Sequence, residues 1–437
     1  MPIETIQKMT SALTRATANR AVGRVSKVAG AKLHVTGFPK STKLGDRVSI
    51  EQSGDKKLGE IIGLSGDGVE VLIDGATEGV SVDTPIFLCK MQRFAPDHSW
   101  IGRVIDPDGQ PLDGRPLLPG KTDVSIWNRP PDPHGRRGFG PRLETGYAIL
   151  NTLLPIVRGQ RIGLFAGSGV GKSTLLGDLS RTIEADVIVI ALVGERGREL
   201  SHFVENILGP EGMARTILVA ATSDRAPQTR RRCAWAATSV AEFFRDQGLH
   251  VLLLCDSITR FCEAHREVSS FAGEAANLRG FPPSTAGAVA GLCERAGPGT
   301  DDMGDITAIY TVLVAGSDME EPVADMLRGV LDGHFLLDRQ IAERGRFPAI
   351  DVLRSVSRAL PAAANRIENN LIHKTRAHLG AYANAELMIQ AGLYEKGSDP
   401  KTDLAIEVHE DLEGFMATQD KRTIAANFAM LTKILEN

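Results

Sequence analysis

Residues 163–176 read Gly-Leu-Phe-Ala-Gly-Ser-Gly-Val-Gly-Lys-Ser-Thr-Leu-Leu, and no other stretch constrains the fold as tightly. A mostly apolar run at 162–166 enters a glycine-rich turn. An apolar helical pattern leaves it at Lys172. A strand, loop and helix of this composition is built to hold phosphates. Gly167, Gly169 and Gly171 let the backbone wrap closely, so that its N–H groups, with those of Ser168 and Val170, point at phosphate oxygens. The helix that starts near Lys172 adds the positive end of its dipole. Lys172 brings a full charge to the β/γ-phosphates. Ser173, followed by Thr174, offers a hydroxyl to Mg²⁺. Ala166 stands where the usual pattern has its first glycine.

The rest of the chain is ordinary for a soluble globular protein. Its 437 residues, 42% hydrophobic and 24% charged, allow roughly two to four domains and at least one large core. The net charge of −4 and the 5% of aromatics argue against a nucleic-acid-binding surface. The five cysteines, Cys89, Cys233, Cys255, Cys262 and Cys293, are scattered and never spaced as Cys-x-x-Cys. That points to a reducing compartment and away from disulfide or zinc scaffolding. With no secretory signal and no apolar run of membrane-spanning length, a cytoplasmic location is expected.

Four segments follow from the patterning. Residues 1–20 are expected to be helical, with Ile6, Met9 and Leu13 on one face and Lys8, Arg15 and Arg20 as cations. The segment is a terminal helix suited to partner docking. Within 21–94, short β-runs at 21–28, 32–38, 46–52, 58–64, 69–73 and 85–88 are separated by glycine turns, which suggests a small barrel or sandwich. Residues 95–360 carry the phosphate loop. Their first part, to about 145, is loop-rich and ends in a proline-rich linker whose Arg136-Arg137 pair reads as solvated surface. Beyond the phosphate loop, apolar runs at 187–193, 217–221, 251–255 and 306–314 alternate with helical stretches, the mark of a buried, mostly parallel sheet. Residues 361–437 lack strands. Helical periodicity there places Leu371, Leu379, Leu387 and Leu393 among the apolar positions, with a break at 397–400.

Two strand ends complete a nucleotide site. The apolar run 251–255 ends in Asp256, where the strand beside a phosphate loop supplies a carboxylate to the Mg²⁺ shell. A second strand ends in Gly194-Glu195-Arg196-Gly197-Arg198-Glu199, and Glu195 is placed to orient the water that attacks a γ-phosphate.

The order of these motifs resembles the catalytic subunits of rotary ATPases, and most closely the flagellar and type III secretion export ATPases. Ala221-Thr222-Ser223-Asp224-Arg225-Ala226-Pro227, Gly280-Phe281-Pro282-Pro283-Ser284, Cys293-Glu294-Arg295-Ala296-Gly297 and Leu331-Asp332-Gly333-His334 carry the closer match, which covers essentially the whole chain. The resemblance implies an N-terminal small β-barrel, a central α/β P-loop (RecA-like) nucleotide-binding domain and a C-terminal α-helical domain. It implies a homohexameric ring with ATP and Mg²⁺ between subunits. Glu195 matches the family's catalytic glutamate and Arg196 its neighbouring arginine. Arg358, rather than the nearby Arg354, matches an arginine finger reaching the next subunit's site. Phe347 falls where the family packs an aromatic against adenine.

The implied activity is ATP hydrolysis that energises flagellar protein export and unloads cargo from chaperones. The implied partners are a dimeric regulator at the N-terminal helix, a coiled-coil stalk in the ring, chaperone–cargo complexes at the helical domain, and the membrane export gate. That last contact would hold the protein peripherally at the inner face of the bacterial cytoplasmic membrane. A virulence (injectisome) secretion ATPase is the alternative. A rotary ATP synthase catalytic subunit would need a different, non-catalytic partner, whereas Glu195 and Arg358 here share one chain. A transcription-termination helicase is opposed by the charge and the scarce aromatics. A ring subunit that only binds nucleotide is opposed by the presence of Lys172, Glu195, Asp256 and Arg358 together. Two features depart from the family or lack a role. Asn151 stands where the family usually has Asp, and the 299–304 insert has no evident role. The Arg230-Arg231-Arg232 run reads as a solvated helix face.

Overall fold

Short strands with alternating burial build the first unit of the computed structural model, which describes residues 20–52, 55–89, 94–276, 280–314, 318–420 and 422–436. Of the helix expected over residues 1–20, residues 1–19 lie outside the described residues. The strands are β1 (Val22–Ala29), β2 (Lys32–Thr36), β3 (Arg47–Gln52), β4 (Asp55–Leu64), β5 (Val69–Ile73) and β6 (Pro85–Leu88). They close in the order β1-β2-β5-β4-β3-β6, and β6 pairs back onto β1. Closure leaves no free edge. The inward positions form one core of Val25, Leu33, Val35, Val48, Ile50, Ile61, Val71 and Ile86. The expected barrel is therefore present.

The apolar runs beyond the phosphate loop form the expected mostly parallel sheet. Its strands are β7 (Val104–Ile105), β8 (Arg161–Ala166), β9 (Val187–Glu195), β10 (Thr216–Thr222), β11 (Val251–Asp256), β12 (Gly297–Pro298), β13 (Asp305–Leu313), β14 (Gly333–Leu337) and β15 (Ile350–Ser357). Their order is β15-β14-β8-β13-β11-β9-β10-β7, and only β15 on β14 and β12 on β13 are antiparallel among the described pairs. All six residues of β11 are buried, as are the first eight of β9.

Helices cover both faces. On one side α2 (Pro227–Arg245) and α3 (Ile258–Phe271) set Val240, Phe244 and Phe261 against Val189, Val219 and Leu253. On the other, α1 (Lys172–Thr182) packs Leu175, Leu176 and Leu179 against Leu164, Ile190 and Leu254. The C-terminal helices α4 (Arg366–Gln390), α5 (Pro400–Ala417) and α6 (Ile424–Glu436) share this second core through Leu371, Leu379, Leu412, Phe415, Phe428 and Leu431. The chain enters α4 through a capping box of Asn365 and Glu368, and α5 through the Asp399 cap followed by Pro400. Leu387 and Leu393 do not join the core. Leu387, in the last turn of α4, is 81% exposed, and Leu393, which follows the end of α4 at Gln390, is 75% exposed.

The Arg230-Arg231-Arg232 run is not a solvated face. Arg231 Nη2 meets Glu60 Oε1 at 2.7 Å, Arg232 Nε meets Asp108 Oδ1 at 2.9 Å, and Arg230 Nη2 meets Glu267 Oε2 at 2.9 Å. Glu60 belongs to the barrel, so α2 clamps the barrel to the nucleotide-binding unit. Arg47 of β3 sits inside the clamp, with Nη2 3.1 Å from both Asp74 Oδ2 and Asp108 Oδ2. Arg136 and Arg137 are also engaged rather than solvated. Arg136 donates to the Glu294 carbonyl, and Arg137 Nη2 lies 2.7 Å from Asp305 Oδ1. The 299–304 insert is the turn joining β12 to β13, pinned where Gly304 N–H donates to the Arg245 carbonyl at 2.7 Å. Asn151 is buried. Its Oδ1 accepts from Thr145 N–H at 2.9 Å and its Nδ2 donates to Asn427 Oδ1 at 2.8 Å. The residue at 151 is thus bonded to a partner in α6.

Arg47→Met should destabilise the chain by about 3–5 kcal/mol, because Asp74 and Asp108 would each lose a buried cationic partner. Urea unfolding of both proteins measures this, and a change below about 1 kcal/mol would show that the clamp is dispensable.

Candidate nucleotide site

The loop between β8 and α1 is shaped by two glycines. Gly169 and Gly171 have φ of 77° and 85°, in the left-handed region that other residues enter only with strain. Gly171 caps α1, which turns the first N–H groups of the helix into the loop's concave side. Ala166 is a buried strand residue beside Leu313 and Leu337, so an alanine fits there without cost. Val170 is buried, whereas Ser168 and Thr174 are exposed and Gly167, Lys172 and Ser173 are half-buried.

Asp256 ends β11, two strands across from β8, and β13 lies between them. Lys172 Nζ contacts Asp256 Oδ1, and both side chains are largely buried. Thr311 on β13 donates its hydroxyl to the same carboxylate oxygen at 2.7 Å. Three neighbouring strands thus converge on one buried carboxylate at the carboxyl edge of a parallel sheet, where such sheets bind ligands.

Glu195 ends β9. Gly194 before it has φ of 70°, and the register with β10 slips there: Val193 faces Ala221, but Glu195 faces Thr222. This bulge re-aims the carboxylate. Burial pushes the Glu195 carboxyl up to about 7. A hydrogen bond with Glu199 and the charge of Asp256 add to the rise, and Lys172 opposes it. The same hydrogen bond lowers Glu199, so the exposed member of the pair carries the charge. Arg196 faces solvent beside Glu199, with Nη1 3.5 Å from Oε1.

Phe347 is half exposed and is not a core aromatic. It flanks a cavity of about 270 Å³ next to the loop, whose other walls include Val170, Gly171, Thr174, Leu175 and Pro348. Tyr147, Asp178 and Gln419 form the polar end of that slot. Asp178 Oδ2 accepts from Tyr147 Oη at 2.5 Å and from Gln419 Nε2 at 3.1 Å. An apolar slot with a few fixed polar groups suits a flat heterocycle. Thr311, Tyr147, Asp178 and Gln419 were not legible as site residues. Thr311 left a faint sign as a hydroxyl interrupting an apolar run, and Gln419 lies far along the chain with no local signal.

Ser173 and Asp256 offer oxygen ligands, the donor class of Mg²⁺. Among the described residues no group of three or more His, Cys, Asp or Glu forms a cage for a metal.

The structure brings Lys172, Ser173, Asp256, Glu195 and Phe347 to one end of the sheet, and it does not bring Arg358 there. Ser357 pairs with Gly333 at the start of β14, while Leu337 at the other end of β14 pairs with Ala166. Arg358, whose N–H bonds the Asp332 carbonyl one residue before Gly333, therefore lies five strand positions, about 17 Å, away from the loop's level, and two strands to the side. It is exposed, with Nη2 donating to the Arg328 carbonyl at 2.9 Å.

Comparison with known proteins agrees with this geometry. Residues 146–357 match the model of the ATP synthase alpha/beta family, nucleotide-binding domain, and residues 365–434 that of the T3SS EscN ATPase C-terminal domain. A flagellum-specific ATP synthase of Caulobacter vibrioides is 41% identical over 95% of this chain and 96% of its own. A type 3 secretion system ATPase of Sinorhizobium fredii is 41% identical over 90% of this chain and 87% of its own. The assembled ATPase EscN of the enteropathogenic E. coli type III secretion system superposes with a TM-score of 0.87 at 36% identity, covering 94% of this chain and 100% of that one. EscN has also been solved in complex with its central stalk EscO, where the TM-score is 0.84. With the phosphate loop, the sheet order and near-complete coverage all in agreement, the chain belongs to the family of flagellum-specific ATP synthases and type III secretion ATPases, and it is a P-loop ATPase.

Proposed function

We propose that this chain forms a homohexameric ring that hydrolyses ATP to drive flagellar type III export and to unload cargo from chaperones. The observation that carries the reading is the separation of Arg358 from the phosphate loop of its own chain. A single subunit holds both halves of a hydrolytic site, facing opposite ends of one sheet. Identical subunits arranged in a ring would join the halves.

Each residue has a role in that reading. The backbone of 167–174 cradles the phosphates and Lys172 directs its charge at the β/γ oxygens. Ser173 and Asp256 would hold Mg²⁺, which supplies charge neutralisation at those oxygens when bound. Phe347 packs against adenine in the slot beside Val170. Glu195 orients the attacking water and takes its proton as the new O–P bond forms and the bond to the leaving ADP oxygen breaks. Its raised basicity suits that work near neutral pH. Arg196 stands beside it on the solvent side. Arg358 of the neighbouring subunit stabilises charge on the transferring phosphoryl group.

The partners follow the same reading. EscN's complex with its central stalk supports a coiled-coil stalk within this ring. A dimeric regulator would dock on residues 1–20. The exposed Leu387, at the end of α4, and Leu393, just beyond it, give chaperone–cargo complexes an apolar foothold on the C-terminal region. We place the ring in the cytoplasm, in peripheral contact with the export gate at the inner membrane face. Among the described residues, no helix is long and apolar enough to cross a membrane. A net charge of −4 gives nucleic acid no foothold.

Three outcomes test the roles. Phe347→Ala should raise the KM for ATP about tenfold with kcat within about twofold, since an aromatic contact of about 1 kcal/mol or slightly more is lost from ground and transition states alike. Steady-state kinetics over a range of ATP concentrations reads the split.

Glu195→Gln should bind ATP and nearly cease turnover. It also has a stability signature. The native Glu195 carboxyl holds its proton to about pH 7, whereas an unshifted one releases it near 4.5. Between those values the native state binds more protons than the unfolded state, so wild-type stability falls as pH rises through the window. Glutamine has no such loss. The melting temperature of the variant relative to wild type should therefore climb between about pH 4.5 and about pH 7. A flat difference would mean that Glu195 is not held protonated.

Lys172→Ala and Arg358→Ala should each be dead alone, the finger being worth roughly 10³–10⁵ in rate. Mixed together they should regain ATPase activity, because one brings an intact finger and the other an intact loop. Mixed rings that form yet stay inactive would place Arg358 outside the neighbouring site.

A further inference from the structure

Gln160 has no exposed surface and stands immediately before β8, the strand that feeds the phosphate loop. Its side-chain amide is fully engaged. Oε1 accepts from the Val157 N–H at 3.0 Å, and Nε2 donates to the Asp332 carbonyl at 3.0 Å and to the Ser357 hydroxyl at 3.1 Å. Both acceptors lie at the base of Arg358. The Asp332 carbonyl also accepts the Arg358 N–H at 3.0 Å. Ser357 is the residue before Arg358, and its hydroxyl donates in turn to the Pro155 carbonyl at 2.6 Å.

Asp332 is fixed from the same strand. Arg161, the first residue of β8, gives its N–H and Nε to Asp332 Oδ2 at 3.0 and 2.9 Å and its Nη2 to Oδ1 at 3.0 Å. A buried amide with every polar atom paired resists displacement, because any shift strands a donor or acceptor away from water. The backbone that carries Arg358 is thus referenced to the root of β8 and not to the flexible reach of its own side chain.

We propose that Gln160 is a positioning residue for Arg358, tying the base of the finger to the phosphate-loop strand of the same subunit. The inference rests on the reading of Arg358 as a finger that acts on the neighbouring site. The bland alternative is a buried amide that merely satisfies three backbone or hydroxyl groups and supports the fold in general. The two differ in which subunit of an interface should feel the loss. Gln160 lies in the subunit that gives the finger, six strand positions, about 20 Å, from the end of β8 that enters the phosphate loop.

The test uses the two dead backgrounds in mixed rings of the full chain. Gln160→Leu removes the bonds at similar volume. Ser357→Ala removes one of the bonded groups with less risk to folding, and it serves if the leucine variant fails to fold. Each is placed either in the finger-giving Lys172→Ala subunit or in the loop-giving Arg358→Ala subunit. ATPase rate and KM of the mixtures are measured against the unaltered pair. In the finger-giving subunit, kcat should fall at least about tenfold with KM within about twofold, as a misplaced catalytic group predicts. In the loop-giving subunit, the rate should stay within about twofold of the unaltered mixture. Equal losses in both positions, a loss confined to the loop-giving subunit, or no loss at all would each overturn the proposal. Failure of the unaltered pair to regain activity would instead overturn the trans reading of Arg358, and the positioning role would fall with it.

Discussion

The contact between Lys172 and Asp256 is the constraint around which the nucleotide end of the sheet is arranged. An ammonium and a carboxylate meet there with little access to water, and Thr311 supplies a further bond to the same carboxylate. Such a pair is weak evidence of stability, because desolvation offsets much of the attraction. Its value is positional. The parallel register fixes the heights involved: Ala166 lies beside Leu313, and Cys255 beside Tyr310, so β11 ends two residues short of β8 and β13, with Asp256 level with Thr311. Continuous apolar strands buried on both faces hold the level fixed. A site that handles a highly charged ligand is thus supported by strands that carry almost no charge of their own.

The attachments around this core use the opposite chemistry. The barrel, the loop-rich segment and α2 meet through Arg47, Arg231 and Arg232 against Glu60, Asp74 and Asp108. Charged groups with fixed geometry specify one orientation, where an apolar interface would tolerate sliding. The C-terminal helices combine both devices. They share a hydrophobic core with the sheet, and they also send Gln419 to Asp178 at the edge of the Phe347 slot. Base pocket and helical region are therefore joined by shared packing and by a hydrogen bond.

How much of this was legible depended on whether a function leaves its mark locally. The phosphate loop did, because a backbone that curls round phosphates needs glycines at fixed spacing, and Gly169 and Gly171 do adopt the conformation only glycine enters freely. The barrel and the parallel sheet did, through alternation in one and continuous apolar runs in the other. Asp256 and Glu195 were readable as residues ending such runs. The arginine run at 230–232 was misread because its partners Glu60 and Asp108 lie far away in sequence, and a charge shows no sign of its partner. Gln419 and Tyr147 were missed for the same reason. Leu387 and Leu393 mislead in the other direction: periodicity marks a helix face but neither where the surface beneath it ends, as at Leu387, nor where the helix itself ends, as before Leu393.

β15 has a consequence beyond its place at the edge of the sheet. Every other strand from β14 to β7 runs in the direction of β8. β15 alone in that path turns back against β14, so the segment that begins near the phosphate end at Ile350 finishes at the far end with Arg358. Phe347 lies just before this strand and Arg358 just after it. One reversed strand therefore separates the residue proposed to grip the base from the residue proposed to complete a site elsewhere. Had β15 been parallel, the arginine would have ended beside its own loop and one subunit could have completed its own site. With the antiparallel turn, the proposed hydrolytic site would close only between chains, and on that proposal turnover depends on assembly. The same strand then gives a rigid spacer between two sites, with its far end held by Gln160 and Asp332 and its near end leading back to the base slot.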